Sequence, residues 1–212
     1  MAFDFSDYVE HPRFGRKPRY TGLSPKRYGD DAVLHWWSKD DTRIPNTAIA
    51  ADCAKQEASL FPVTHYFDES CVCVDCKRPF LFFAAEQKYW YEGLQFNLSS
   101  ACIRCPVCRK SQQKTARYKQ RYETLLRIEN PSTEQLIEKV ACCLSLIEVG
   151  RFGVTKVANM RCTLKRIPMK PQVHSLWERI EKIESKAASR LAVMKPKPQG
   201  FNKLSQNGNG TC

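Results

Sequence analysis

The sequence predicts a small metal-bound α+β module, a short hairpin plus helices, followed by a mostly α-helical C-terminal segment, with disordered ends. Three observations predict it. Two cysteine pairs, Cys73-Val-Asp-Cys76 and Cys105-Pro-Val-Cys108, bracket a short apolar run, Phe80-Leu-Phe-Phe83. Beyond the second pair, apolar residues recur at helical spacing as far as Met194. At both ends the periodicity gives way to basic, Pro-, Gly- and Asn-containing stretches that bury too little to fold. The implied organisation is a basic, poorly ordered arm over residues 1–43, a metal-binding module with a long basic helix over 44–130, a helical segment over 131–194 and a disordered tail over 195–212.

In the arm, Arg13, Arg16, Lys17, Arg19, Lys26 and Arg27 follow one another without an acid, interleaved with Phe14, Tyr20, Tyr28, prolines and glycines. Such a segment is extended, and either lies along phosphates or serves as a solvated leader. Val33-Leu-His-Trp-Trp37 is an aromatic cluster that packs on the next module in preference to offering a stacking surface. Ile44-Pro-Asn-Thr47 reads as a loop opening a short helix over 48–59, capped by Thr47 or Asn46. Phe61 to Asp68 is an extended lead into the first cysteine turn.

Phe80–Phe83 suits a strand or hairpin arm beside the metal. A helix follows over 84–92, ended by Gly93, with Tyr89 and Trp90 placed to cover the cysteine turns. Pro106 suits the first turn of a longer helix that meets no breaker until Asn130-Pro131. On it Lys110, Lys114, Arg117 and Arg121 recur at steps of four, three and four and share one face, while Tyr118, Tyr122, Leu125 and Leu126 form another. The basic face reads either as a nucleic-acid-binding stripe or as an ordinary solvated surface.

Ser132-Thr-Glu-Gln135 is a capping-box pattern, and Leu136, Val140, Leu144 and Ile147 carry its helix to Gly150. A turn at Arg151-Phe-Gly153 precedes a second helix over 154–167. A third, over 173–194, presents Val173, Trp177, Ile180, Ile183, Ala187 and Leu191 as its apolar face. Arg151, Lys156, Arg161, Lys165, Arg166 and Lys170 extend the basic surface without an intervening acid.

The cysteine spacing fixes the metal. Two residues between cysteines make a tight turn that points both sulfurs at one ion, and two such turns complete a tetrahedral four-sulfur shell, with zinc–sulfur distances of about 2.3 Å. One structural Zn2+ on Cys73, Cys76, Cys105 and Cys108 is expected, and four thiolates leave no position for substrate. Competing readings are weaker. Cys102, Cys105 and Cys108 run as an iron–sulfur spacing but lack the fourth cysteine. A disulfide framework needs export, whereas the first residues show no signal and the 11 cysteines are odd in number. Cys71 and Cys102 each sit just upstream of a pair and compete for ligand register. Cys53, Cys142, Cys143 and Cys162 read as small buried side chains, Cys212 as a tail thiol, and His65 as a near neighbour that four thiolates make superfluous. Lys77, Arg78, Arg104 and Arg109 are placed to offset the net −2 of a tetrathiolate zinc.

From Ile44 to Lys110 the chain resembles a bacterial family of probable zinc-ribbon or treble-clef zinc-binding domains. The resemblance rests on Cys73-x2-Cys76, on the string Glu86-Gln-Lys-Tyr-Trp-Tyr-Glu92 and on Cys105-x2-Cys108-Arg109, with Ile44–Asp52 and Lys55-Gln56 as a lead-in. It implies a treble-clef or zinc-ribbon fold and zinc on the same four cysteines. It implies little about activity. The sequence departs from the family at Lys77, where a glycine is usual, and in the extra Cys71 and Cys102.

Lys and Arg number 34 against 22 Asp and Glu, a formal +12 with a pI near 9.3, which favours polyanions. No run approaches the 18 apolar residues of a membrane span, and a soluble, cytoplasmic protein is expected. The function expected is a non-catalytic zinc-stabilised adaptor contacting RNA, ribosome-associated RNA or DNA through phosphates. The alternative is a zinc-stabilised interaction module with an acidic protein partner. Enzyme chemistry is disfavoured because His11, His35, His65 and His174 are scattered and no phosphate-cradling loop or nucleophile elbow is present. No small-molecule substrate and no membrane partner are expected.

Overall fold

The computed structural model describes residues 4–26 and 32–194. Arg27 and Tyr28 of the arm, the side chain of Leu191, and the tail over 195–212 with Cys212 lie outside the described residues. The chain divides into two compact units, Met1–Lys114 and Thr115–Cys212. The division falls within the long helix and not at residue 130.

The first unit is built on two antiparallel ladders. β1 (Ile49–Ala50) pairs with β2 (His65–Tyr66), and β3 (Glu69–Val72) pairs with β4 (Pro79–Phe82), Glu69 facing Phe82 and Val72 facing Pro79. α1 (Ala84–Lys88) follows β4 directly and widens into a single π turn over Tyr89–Gly93. Phe80, Phe82 and Val9 pack with Cys73, Cys102 and Cys105 into one small core, while Val63, Tyr66, Ala84 and Tyr91 form another.

Residues 4–26 do not behave as a free arm. Val9 bridges Phe80, its N–H donating to the Pro79 carbonyl at 2.8 Å, so the segment extends the edge of β4. Tyr8 and Val9 are buried. The buried Asp68 carboxylate accepts the Arg19 N–H at 2.8 Å and the Ala84 N–H at 2.7 Å, tying the basic segment to the start of α1. Apolar residues among the charges thus supply the burial that an extended solvated arm lacks.

The helix expected over 48–59 does not form. Its residues give β1, then a single 3-10 turn at Cys53–Lys55. Asn46 takes a left-handed φ of 62°, and Thr47 is no helix cap. Its buried hydroxyl donates to the Ile44 carbonyl at 2.7 Å and accepts the Asp68 N–H at 3.0 Å. Side chain to backbone bonding of this kind competes with helix initiation. The Gln56 amide pins the ensuing loop to both polar groups of Val63, at 2.7 and 3.0 Å.

α2 (Pro106–Leu126) is the long basic helix. In the second unit α3 (Thr133–Glu148), α4 (Lys156–Leu164) and α5 (Pro171–Met194) enclose Val140, Leu144, Leu146, Met160, Leu164 and Ile180, with Tyr122 of α2 in the same cluster. The Ser132 capping box is complete, Gln135 accepting the Ser132 N–H at 2.8 Å while Ser132 Oγ accepts the Gln135 N–H. α3 ends where Gly150 adopts φ 71°, a left-handed turn that returns the Arg151 N–H to the Leu146 carbonyl at 2.8 Å. Cys142 and Cys143 are buried as expected, whereas Cys53 and Cys162 are exposed. Leu126 is exposed too, because Tyr122 and Leu125 already complete the buried face of α2.

Candidate metal centre

Each half of the centre is a backbone turn closed by hydrogen bonds. In the first, the Cys73 N–H donates to the Arg78 carbonyl and the Lys77 N–H returns to the Cys73 carbonyl, both at 3.0 Å, capping the β3–β4 hairpin. Closing this turn takes Lys77 to φ 61°, the conformation a glycine adopts without cost. In the second, Cys105 stands immediately before α2 and its carbonyl accepts the Arg109 N–H at 2.9 Å. Pro106 occupies the first helical position, where no N–H is required. A backbone bond joins the halves, from the Val74 N–H to the Ile103 carbonyl at 3.0 Å.

These turns gather Cys73, Cys76, Cys105 and Cys108 so that all four sulfurs lie within 4.8 Å of one another. Cys76 Sγ and Cys105 Sγ are 3.8 Å apart. A tetrahedron with bonds of about 2.3 Å has edges of roughly 3.8 Å, so the spacing fits one zinc ion. Cys73 and Cys105 are buried, Cys108 is partly covered and Cys76 faces solvent. The centre is closed in donor number yet has one open side.

Local charge follows the same design. Burial opposes ionisation of Cys73, but the N–H groups of Cys76, Cys105 and Asp75 outweigh it and bring the thiol down to about 6. Burial pushes Cys105 and Cys108 up, and for both the sulfurs of Cys73 and Cys76 add to the rise, whereas Cys108 opposes it at Cys105. Four close sulfurs resist sharing negative charge without a cation between them. The N-terminus of α2, which Cys105 immediately precedes and whose first turn holds Cys108, contributes positive potential.

Of the cations expected to offset the zinc charge, two are committed elsewhere. Arg104 Nε donates to Asp75 at 2.9 Å and links the turns. Arg109 donates to Glu86 at 2.7 Å and lies over the Trp90 ring at 4.9 Å. At Cys73 the compensation comes largely from backbone N–H groups, a signal that no sequence pattern announces. His11, which was read only as one of four scattered histidines, lies against the same Glu86 at 3.4 Å.

The string Glu86–Glu92 proves to be a set of ties. Gln87 donates to the Phe67 and Phe82 carbonyls at 2.5 and 3.0 Å. Lys88 reaches the Ala50 carbonyl at 2.9 Å, the Tyr91 hydroxyl bonds the Ser100 carbonyl, and Glu92 accepts the Asp52 N–H at 2.7 Å. Trp90 packs beside the cysteines as expected. Tyr89 does not: it is 57% exposed, since the π turn directs Tyr91 inward in its place. Trp36 is likewise exposed at 72%, while Trp37 stacks on His35.

Cys71 and Cys102 lie outside the four-sulfur group. Cys71 is in β3 opposite Phe80, and Cys102 donates to the Arg104 carbonyl at 3.4 Å. Burial holds Cys71 well above the ordinary thiol range and Cys102 up at about 12, which keeps both protonated. His65 is in β2 with Nδ1 3.1 Å from Thr64 Oγ1, also outside the group.

The basic stripe is exposed along α2 at Lys110, Lys114, Arg117 and Arg121. Arg121, however, grips Glu138 of α3 through two hydrogen bonds of 2.7 and 2.6 Å. The Glu138 partner, 17 residues away, could not be paired with it from helical periodicity alone.

Residues 67–117 match the family model described as a probable treble clef domain. Nothing among curated proteins and nothing among solved structures matches the chain. Among the described residues no helix is long and apolar enough to cross a membrane.

Proposed function

We propose, from a treble-clef zinc-binding domain with one structural site for zinc, that the protein is a non-catalytic adaptor contacting nucleic-acid phosphates. The observation that carries this reading is the charge along α2. Between Glu92 and Glu123 the sequence holds no acid and seven cations, Arg104, Arg109, Lys110, Lys114, Arg117, Lys119 and Arg121. Four of them, Arg104, Arg109, Lys119 and Arg121, answer carboxylates, and Lys110, Lys114 and Arg117 are exposed along the helix. Arg121 joins them only by releasing Glu138. The tetrathiolate donor set supports the non-catalytic part, because it leaves the ion no vacant position to activate water or substrate.

Charge beyond α2 supports the same reading. Residues 115–212 carry 18 Lys and Arg against 8 Asp and Glu, whereas residues 1–114 carry 16 against 14. Arg151, Lys165 and Arg166 are exposed within an acid-free stretch. Basic surface without a base-reading motif favours phosphate contact, hence affinity with little sequence preference.

The test is a titration of a fluorescent RNA hairpin, and of a DNA duplex, with zinc-loaded protein between about 50 and 200 mM salt. Each phosphate contact contributes roughly 0.7–0.9 to the slope of log affinity against log salt. Changing Lys110, Lys114 and Arg117 to Gln should lower that slope by about 2 or more with zinc content unchanged. A flat salt response, or an unchanged slope in the triple variant, overturns the proposal.

A further inference from the structure

The C-terminal unit carries a second surface of different chemistry. Where the end of α3, the turn before α4 and α5 meet, a groove of about 810 Å³ opens. Ile147, Val154, Ile183 and Ala187 give it an apolar lining, and Lys182, Lys186 and Arg190 edge it along α5. Glu148 also lines it, but Arg179 holds that carboxylate through two hydrogen bonds of 2.9 and 2.8 Å. The charge of the cationic edge is therefore not cancelled from within the groove.

The spacing of these residues narrows the occupant. Lys182, Lys186 and Arg190 are four apart, and so are Ile183 and Ala187, so a charged row and an apolar row run side by side along α5. At 1.5 Å per residue the charged row spans about 12 Å, or two helical turns. We infer that the groove docks an amphipathic helix of a protein partner, with a row of carboxylates beside a row of aliphatic residues. An extended strand alternates faces at every residue and does not match rows of period four. Nucleic acid gains from the cations alone and has nothing to set against the apolar lining. The chain's own tail carries Lys195, Lys197 and Lys203 and no acid, so charge opposes it as occupant. This surface uses none of Lys110, Lys114 and Arg117, and its test is independent of the phosphate-contact reading.

The test uses the full zinc-loaded chain and a labelled peptide of roughly 16 residues, with Leu and Glu rows at four-residue spacing, followed by fluorescence anisotropy near 0.15 M salt. Binding is expected in the micromolar range, and a scrambled peptide of the same composition should bind at least about tenfold more weakly. The variant Lys182→Glu, Lys186→Glu, Arg190→Glu should lose at least about tenfold while circular dichroism shows the helices intact. Val154→Asp, which changes only the lining, should do the same. No binding, equal binding of the scrambled peptide, or affinity unaffected by either variant overturns the inference. So does displacement of the peptide by an RNA duplex, which assigns the edge to phosphate contact. A concentration-dependent dimer abolished by Val154→Asp overturns it as well, by giving the groove to a second copy of the chain.

Discussion

Single residues decide how the metal turn closes and how the fold responds to pH. Lys77 closes the first cysteine turn at φ 61°, the left-handed conformation that a glycine adopts without cost. A left-handed side-chain-bearing residue costs about 1–2 kcal/mol, part of which is returned because lysine restricts the unfolded chain more than glycine. Lys77→Gly should therefore stabilise the zinc-loaded module by about 0.5–1 kcal/mol, and Lys77→Val should destabilise it, as read by urea titration. Glu69 gives the pH response. Burial is the chief cause that raises its carboxyl to about 7, against the opposing effect of hydroxyl bonds from Ser38 and Thr42 and of nearby Arg43, while Asp41 adds to the rise. A carboxyl raised on folding favours the protonated state, so its contribution is fully present below the unfolded value near 4.5 and is lost as pH rises through about 7. Glu69→Gln should thus flatten the loss of urea stability between about pH 4.5 and 7 relative to the parent. An identical slope in both proteins sinks the assignment.

At the scale of elements, what was legible depended on whether the signal was local. The Ser132–Gln135 box, Gly150 and the apolar spacing of α3 gave a helix whose cap and stop the structure reproduces. Ser132→Ala should cost about 1 kcal/mol in the C-terminal unit, measurable by thermal denaturation. The β3–β4 hairpin and the four cysteines were legible for the same reason, since close spacing forces the turn. The stretch over 48–59 was misread because the partners that override its helical propensity are remote: Asp68 draws Thr47, and His65-Tyr66 pair with β1. The packing of residues 4–26 was missed because the burial of Tyr8 and Val9 depends on β4, some 70 residues later. Charge patterns were the least transferable. Steps of four, three and four place Arg121 with exposed Lys110, Lys114 and Arg117 on α2, yet only the fold supplies Glu138 to engage it.

Considered as a whole, the molecule separates its means of stabilisation. The first unit divides its apolar residues among several small clusters and relies on the metal turns to join them, whereas Thr115–Cys212 has one larger core drawn from its own helices. Small modules with weak cores gain their folding free energy from zinc. Removing the metal with a chelator should accelerate amide hydrogen exchange in β3, β4 and residues 101–109 while leaving α3 and α5 protected. Equal loss of protection in α3 and α5 would contradict this division. The charge is similarly divided, with the excess of cations lying beyond residue 114. Most of the excess positive charge is thus carried by a different stretch of the chain from the four cysteines.

The four-sulfur zinc site underlies all of this, and X-ray absorption at the zinc edge of the purified protein tests it most directly. One zinc per chain with four sulfur neighbours at about 2.3 Å is the expected result, lost in Cys76→Ser or Cys108→Ser. Nitrogen or oxygen neighbours in the parent protein, iron in place of zinc, or full zinc retention in both variants would contradict it.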